Sequence, residues 1–255
     1  MKKTAIITGG TSGIGWGIAR KFAQEGYNLV LFSAETEEEA AEPLAWLDEH
    51  QTPYIWMQGD LADLSVHQKL LDAALNRFGR IDVLCNNAGV VTKRRGDMME
   101  LTTDSFDWVF SINVRGTFFL TQRIAAHMMK QEEIDGYRGI IVNTESSNSV
   151  VVSTQRAEYC MSKAALSMLT QLYAARLGEE SIFVYGVRPG IIATRKTYQV
   201  KERYDKVCAS DEMIIKRWGE PEDVANTIYA LCSNDLRYCT GTVINVDGGF
   251  IQRRL

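Results

Sequence analysis

Tyr159 and Lys163 are four positions apart, a spacing that could place a phenol beside an ammonium group. Both lie in a stretch with helical periodicity, 158–178, where residues four apart share one face of a helix. An unperturbed tyrosine has a pKa of about 10, and a nearby ammonium favours its phenolate form. The pair therefore predicts a tyrosine that exchanges protons, although a half-buried tyrosine beside a solvated lysine would have the same spacing.

A serine hydroxyl is expected close to this tyrosine. The segment 140–146 predicts a strand with Ser146 at its carboxyl end. A hydroxyl there could bond a substrate carbonyl and hold it beside the phenol, and the neighbours Ser147 and Ser149 are alternatives. Asn113 lies in an earlier helical stretch, where its amide could cap backbone groups or hold a water for a proton relay.

A glycine-rich turn, Thr8-Gly9-Gly10-Thr11-Ser12-Gly13-Ile14-Gly15, joins the first predicted strand to the first predicted helix. Its glycines allow a tight turn and close approach of a pyrophosphate, which the N-terminus of the following helix would attract. Trp16 stands where a Walker A loop requires lysine, so that motif is excluded. The turn therefore predicts a dinucleotide site.

The end of the second predicted strand bears on which dinucleotide binds. A carboxylate there would bond the ribose 2′-hydroxyl of NAD, and a basic residue would pair with the 2′-phosphate of NADP. Ser33 occupies this position, and Glu35 and the acidic run 37–39 follow it. Serine tolerates a phosphate whereas glutamates repel one, so the choice between NAD and NADP stays open.

Short apolar strands alternate with helical stretches along the whole chain. This alternation predicts an α/β fold: a single Rossmann-type, doubly wound sheet of about seven parallel strands with helices on both faces. One domain, 1–255, would carry both cofactor and catalytic site; a (β/α)₈ barrel is the alternative. The predicted strands are Thr4–Thr8, Leu29–Phe32, Tyr54–Met57, Ile81–Cys85, Ile140–Asn143, Phe183–Val187 and Val243–Val246, and the predicted helices are 14–25, 37–50, 66–78, 104–130, 158–178 and 221–233.

The helix predicted over 158–178 carries an apolar stripe that is expected to face the core. The members of that stripe are Met161, Ala164, Ala165, Met168 and Leu172.

Composition excludes several functions. A net charge of −4 over 255 residues gives no basic footprint for nucleic acid, and no apolar run is long enough to cross a membrane. Five cysteines without a C-x-x-C pair suggest reduced thiols in a cytoplasmic protein, and three scattered histidines predict no metal site.

These motifs together resemble the short-chain dehydrogenase/reductase family along essentially the whole chain. Two further stretches, Arg156-Ala157-Glu158-Tyr159-Cys160 and 217–223, are similar to 3-oxoacyl-acyl-carrier-protein reductase-like members. The matching pieces are Thr8-Gly9, Gly13-Ile14-Gly15, Asp60-Leu61, Asn86-Asn87-Ala88-Gly89, Asn113, Ser146, Tyr159, Lys163, Arg188-Pro189-Gly190, Thr194 and Val246-Asp247-Gly248-Gly249.

The resemblance implies a role for each catalytic position. Tyr159 would be the general acid/base, and Lys163 would lower its pKa and hold the nicotinamide ribose. Ser146 would polarise the substrate carbonyl, and Asn113 would anchor a water that links Lys163 to solvent. NAD or NADP would contact Gly9, Thr11, Ser12, Gly13, Ile14, Gly15, Ser33, Asp60, Leu61, Asn87, Ala88, Gly89, Tyr159, Lys163, Pro189, Gly190, Ile192 and Thr194.

The substrate is expected to be a small carbonyl or alcohol compound, received under a lid at about 191–217. Glu179 and Glu180 and the acidic segment 130–136 do not favour docking of an acidic acyl carrier. A sugar or polyol dehydrogenase is therefore the alternative to a 3-oxoacyl reductase, and a non-catalytic dinucleotide-binding regulator is a third possibility. The family resemblance also implies a homo-oligomer, a tetramer or a dimer.

Overall fold

The computed structural model describes residues 2–198 and 200–252, and within them a parallel sheet of seven strands organises the chain. The strand order is β3-β2-β1-β4-β5-β6-β7, so the winding reverses between β1 and β4. The predicted fold class is confirmed. The strands are β1 (Thr4–Thr8), β2 (Asn28–Ser33), β3 (Tyr54–Gln58), β4 (Val83–Asn86), β5 (Gly139–Thr144), β6 (Ile182–Pro189) and β7 (Val243–Val246).

Helices cover both faces of this sheet. The helix predicted over 104–130 is divided, because a π-helical turn, Ser111–Gly116, lies between its two halves. The α-helices are α1 (Gly13–Gln24), α2 (Glu37–Glu49), α3 (Ser65–Phe78), α4 (Thr103–Phe110), α5 (Thr117–Met128), α6 (Ala157–Leu177), α7 (Arg195–Tyr198), α8 (Lys201–Ala209) and α9 (Pro221–Leu231).

Two apolar clusters, one on each side of the sheet, form the core. Successive residues of a strand point to opposite faces, so Ile6 and Ile7 of β1 enter different clusters. Ile7 belongs to the cluster that contains Phe22 of α1, and Ile6 belongs to the one that contains Leu120 of α5. Burial on both faces explains why the strands are nearly continuous apolar runs.

The apolar stripe predicted to face the core on α6 lies on the outside, and that prediction was wrong. Met161, Met168 and Leu172 are 45%, 53% and 57% exposed. Helix α6 instead buries a neighbouring row that includes Leu166 and Leu169. Both rows are apolar, so periodicity alone did not indicate which of them faces the sheet.

No helix within residues 2–198 and 200–252 is long and apolar enough to span a bilayer.

Candidate active site

The glycine turn after β1 is shaped by close backbone contacts. Gly9 and Gly13 have φ angles of +65° and +51°, a region that favours glycine. A Cβ on Gly15 would overlap the carbonyl oxygen of Gly9. Helix α1 begins at Gly13, so its first N–H groups follow the turn directly. The turn therefore has the backbone shape that close approach of a phosphate requires.

The ends of β1 and β4 are joined beside this turn. The Thr8 hydroxyl accepts hydrogen bonds from the backbone N–H groups of Asn87 (3.0 Å) and Ala88 (2.9 Å). The Asn87 amide donates to the Thr8 carbonyl oxygen at 3.0 Å. These bonds form where the winding of the sheet reverses, which is where open α/β sheets bind their ligands.

A carboxylate contacts the glycine turn from the end of β2. Glu35 Oε1 accepts a hydrogen bond from Ser12 Oγ at 2.6 Å, and Oε2 accepts one from Thr11 Oγ1 at 3.3 Å. Partial burial opposes ionisation, but the hydrogen bonds lower the pKa of Glu35 overall, so it is charged at neutral pH. Ser33 is buried, and its hydroxyl accepts from Thr11 (2.9 Å) and from the Trp56 indole (3.0 Å).

Other predicted cofactor contacts lie at the carboxyl ends of β3 and β6. After β3, Asp60 is exposed and accepts a hydrogen bond from the Ala62 N–H, and Leu61 is buried. After β6, a Cβ on Gly13 would lie 3.3 Å from the methyl group of Thr194.

The segment that follows β6 is held by backbone contacts. Ile192 pairs with Gly219 in an isolated bridge, and Gly190 donates its N–H to the Val246 carbonyl oxygen at 3.0 Å. A Cβ on Gly190 would lie 2.7 Å from the Cα of Asp247. Pro189, Gly190, Ile192 and Thr194 therefore have fixed positions at the carboxyl end of β6.

Tyr159, near the start of α6, lies against Ser146 at the end of β5. Ser146 is buried, its hydroxyl accepts from the Asn148 N–H at 3.1 Å, and it is hydrogen-bonded to the Tyr159 side chain. The guanidinium carbon of Arg156 lies 5.5 Å from the centre of the Tyr159 ring. The predicted serine and tyrosine are therefore in contact, and a cation that the sequence did not single out lies beside them.

Burial raises the pKa of Tyr159, because the phenolate is poorly solvated. The hydrogen bond with Ser146 and the positive charge of Arg156 act in the opposite direction but are smaller effects. Within the protein alone the phenol is therefore neutral at physiological pH, whereas the sequence predicted a lowered pKa. The positive charge of Arg156 lowers the pKa of Tyr159 in addition to the lowering that was predicted for Lys163.

Lys163 and Asn113 lie together next to Gly89. Lys163 is buried, its Nζ donates to the Thr144 carbonyl oxygen at 2.9 Å, and the same atom lies 5.9 Å from the centre of the Tyr159 ring. A Cβ on Gly89 would lie 3.2 Å from Asn113 Oδ1 and 3.4 Å from Lys163 Nζ.

The π-helical turn places Asn113, which is fully buried. Its Oδ1 accepts from the Val90 N–H at 2.8 Å, and its Nδ2 donates to the Val90 carbonyl oxygen at 2.9 Å and to Ser162 Oγ at 3.0 Å. The side chain thus ties the loop after β4 to helix α6. Such π-helical turns are frequent at functional sites.

Two buried carboxylates flank the site and were not predicted. Glu145, between Thr144 and Ser146, pairs with Arg188 at 3.0 Å and accepts a hydrogen bond from Thr170 at 3.1 Å. Burial raises the pKa of Glu145, and these partners partly offset that effect. Glu158 accepts hydrogen bonds from the hydroxyls of Thr92 and Ser105. Glu145 lies among polar residues directly after β5, so the sequence carried no signal that its carboxylate would be buried.

Nearly the whole chain matches known proteins. The family model described as enoyl-(acyl-carrier-protein) reductase matches residues 9–251. The 2-dehydro-3-deoxy-D-gluconate 5-dehydrogenase of Dickeya dadantii (strain 3937) is 31% identical over 98% of this chain and 96% of that protein. The 3-oxoacyl-acyl-carrier-protein reductase of Thermotoga maritima is 32% identical over 98% of this chain and 98% of that protein.

Solved structures are similar over the same length. The 3-oxoacyl-acyl-carrier-protein reductase of Brucella melitensis in complex with NAD is 37% identical with a TM-score of 0.94, over 100% of this chain and 99% of that one. The structure of ElxO with bound NADP is 29% identical with a TM-score of 0.88, over 99% of this chain and 100% of that one.

The chain belongs to the short-chain dehydrogenase/reductase family, as the sequence motifs predicted. It is an NAD(P)-dependent oxidoreductase that acts on CH–OH and keto groups. The glycine turn fits a nicotinamide dinucleotide, because the close contact of Gly15 with Gly9 keeps the backbone free of side chains where a pyrophosphate would lie.

Proposed function

We propose that Tyr159 is the general acid/base for hydride transfer between a nicotinamide cofactor and a ketone or secondary alcohol. The observation that carries this proposal is the contact between the Tyr159 phenol and the Ser146 hydroxyl, with Lys163 Nζ 5.9 Å from the Tyr159 ring. Two hydroxyls that meet at the carboxyl end of a central strand can both bond one substrate oxygen.

Each side chain has a distinct task in this proposal. In ketone reduction, Ser146 donates a hydrogen bond to the substrate carbonyl, and Tyr159 donates its proton to the same oxygen. In alcohol oxidation the phenolate of Tyr159 takes that proton back. Lys163 favours the phenolate by its charge and would bond the ribose of a bound cofactor. Asn113 is held rigidly by Val90 and Ser162, and anchors a water between Lys163 and solvent.

The cofactor would be held by the residues that the sequence predicted, and it supplies or accepts the hydride. The glycine turn would bind the pyrophosphate, Asp60 and Leu61 the adenine, and Asn87 the ribose on the adenosine side. Gly190, Ile192 and Thr194 would bind the nicotinamide portion. A neutral phenol in the protein alone is suited to protonating a substrate, and the positive charge of the oxidised cofactor would favour the phenolate needed for oxidation.

We propose a preference for NAD over NADP. The carboxylate of Glu35 bonds Ser12 and Thr11, so a negative charge lies beside the glycine turn, close to where the 2′-phosphate of NADP would be placed. A carboxylate can accept hydrogen bonds from ribose hydroxyls but repels a phosphate. The Ser33 hydroxyl is already hydrogen-bonded within the protein. We therefore assign the discrimination between NAD and NADP to Glu35.

The substrate is proposed to be a small ketone or alcohol. A 3-oxoacyl thioester remains one candidate, since relatives carry that name. A sugar derivative is the second, and it is favoured by the carboxyl end of α6, where Arg176 pairs with Glu180 instead of presenting a free cation to an acidic carrier. The segment 191–217, which contains α7 and α8, would be the lid, since Arg203 of α8 donates a hydrogen bond to Gln155, just before α6, at 3.4 Å.

A homo-oligomer and a cytoplasmic location complete the proposal. The outer row of α6 exposes Met161, Met168 and Leu172, and Phe119 of α5 is 38% exposed, so both helices present apolar side chains that a second copy could cover. The five cysteines are free thiols, as expected in a reducing compartment.

The proposed reaction can be tested by following NADH and NADPH absorbance. The purified chain is assayed in both directions with ketoacyl thioesters, keto sugars, sugar acids and polyols. Turnover of at least one ketone/alcohol pair supports the proposal, and the absence of turnover across the whole panel, with dinucleotide binding intact, would contradict it.

A further inference from the structure

We infer that Arg156 binds a carboxylate of the substrate, so that the natural substrate is a keto acid or hydroxy acid. This inference rests on the proposed function of Tyr159, and it adds the chemical class of the substrate. Arg156 precedes α6 directly, and its guanidinium carbon lies 5.5 Å from the centre of the Tyr159 ring. An acid group held there and a carbon reacting at Tyr159 would be only a few bonds apart in one small molecule.

The guanidinium of Arg156 is fixed before any substrate arrives. One terminal nitrogen donates to Asn148 Oδ1 at 2.8 Å. The amide of Asn148 is itself oriented, because its Nδ2 donates to the Val151 carbonyl oxygen at 2.9 Å. A donor held in place in this way loses little conformational entropy when an anion binds.

The charge of Arg156 lacks an acidic partner among the residues that the structure describes. The ion pairs there involve other arginines and lysines, and the buried carboxylate of Glu158 accepts from Thr92 and Ser105 instead. The Nε of Arg156 is buried and has no hydrogen-bond partner within the same residues. A half-buried cation without an acidic partner is costly unless a ligand supplies the opposite charge.

A carboxylate fits this position better than the other candidate substrates do. It matches the planar fork of a guanidinium and can accept two parallel hydrogen bonds. A polyol is neutral, and a 3-oxoacyl thioester carries no charge next to its keto group, so neither of them would use Arg156.

The test compares acids with their neutral counterparts. Gluconate, 3-hydroxybutyrate and lactate are each assayed beside the corresponding primary amide, in the wild-type chain and in Arg156→Gln. Loss of a charge-assisted hydrogen bond is expected to lower the acid-to-amide ratio of kcat/KM about 10- to 100-fold, to near one. The ratio isolates binding, because an effect of Arg156 on the pKa of Tyr159 acts on acid and amide alike.

Binding provides a second readout that does not need turnover. The affinity of malonate for the protein saturated with NAD⁺ is measured by calorimetry, and Arg156→Gln is expected to weaken it about 10- to 100-fold. Arg156→Lys keeps the charge without the planar fork and should fall between the two. Arg176→Gln is the matched control, since that arginine lies at the far end of α6, is exposed, and pairs with Glu180.

Two results would overturn the inference: a wild-type ratio near one for every pair that is turned over, or malonate affinity unchanged in Arg156→Gln. Failure of the proposed function would look different. If the proposed function is wrong, Tyr159→Phe would still turn over acids and amides. If only the present inference is wrong, Tyr159→Phe would be inactive toward both.

Discussion

The ammonium nitrogen of Lys163 lies 5.9 Å from the centre of the Tyr159 ring and donates a hydrogen bond to the Thr144 carbonyl oxygen. Thr144 is the last residue of β5, and Ser146 follows it two positions later. The end of one central strand therefore positions both the serine that touches the phenol and the lysine beside its ring. The proposed catalytic arrangement therefore depends on how α6 packs against the end of β5.

Replacement of Tyr159 by phenylalanine should lower kcat by about 10²- to 10⁴-fold, since it removes the proposed general acid/base. Dinucleotide affinity should change little, which fluorescence titration with NADH can measure. Tyr173→Phe is a matched control on the same helix, because it removes a hydroxyl that bonds only a backbone carbonyl oxygen, that of Phe118, among the contacts described. Turnover similar to wild type in Tyr159→Phe would remove Tyr159 from the mechanism.

The raised pKa of Tyr159 predicts opposite pH dependences for the two directions of reaction. Reduction needs the phenol proton, so its rate should fall as the pH rises through this pKa. Oxidation needs the phenolate and should rise over the same interval. In the free protein the phenol should titrate above the range of an unperturbed tyrosine, which the ultraviolet difference between wild type and Tyr159→Phe can measure. A phenolate signal at pH 7 without cofactor would show that the pKa of Tyr159 is lowered instead of raised.

Substitution of Glu35 by glutamine should increase kcat/KM for NADP, because it removes a negative charge beside the glycine turn. A gain of about tenfold corresponds to roughly 1.4 kcal/mol of relieved repulsion. Steady-state assays with NAD and NADP measure the ratio. Glu38→Gln removes an exposed charge from the first turn of α2 and serves as the control. An unchanged ratio in Glu35→Gln would exclude Glu35 as the determinant.

Gly15→Ala should abolish dinucleotide binding and lower the free energy of unfolding. The added Cβ would overlap the carbonyl oxygen of Gly9, so the turn must open. Gly178→Ala is a suitable contrast, because a Cβ there meets nothing within 4 Å and the residue is already helical. That variant should be neutral or more stable by up to about 1 kcal/mol. Calorimetric unfolding and NADH titration measure both, and normal binding by Gly15→Ala would refute the prediction.

Met168→Glu should shift the chain toward smaller species if the outer row of α6 is an oligomer interface. A charge placed within a buried apolar contact is strongly unfavourable, whereas on an exposed surface it is tolerated. Light scattering after gel filtration determines the mass. Gln171→Glu, at another exposed position of α6, is the charge-matched control. Equal masses for Met168→Glu and wild type would exclude this row from the interface.

The sequence predicted the sheet well and the local contacts of the site poorly. Each of the seven strands was predicted to within about two residues at either end, since strands buried on both faces leave apolar runs that need no alternation. The π-helical turn at 111–116 was not predicted, because the one residue that it adds to the helix hardly changes the spacing of the apolar residues. The contacts of Arg156 with Tyr159 and of Glu35 with Ser12 depend on the paths of loops, which carry no periodic signal.

Thr194 faces the glycine turn across the space that a Cβ on Gly13 would enter, and this has a consequence for synthesis of the chain. The glycine turn leaves the ribosome within the first 16 residues, but the residues that face it from beyond β6 emerge roughly 180 positions later. The complete dinucleotide site, which would include Thr194, therefore cannot form until most of the chain has been made. Dinucleotide binding can give its full stabilisation only at that stage, when β6 has joined the sheet.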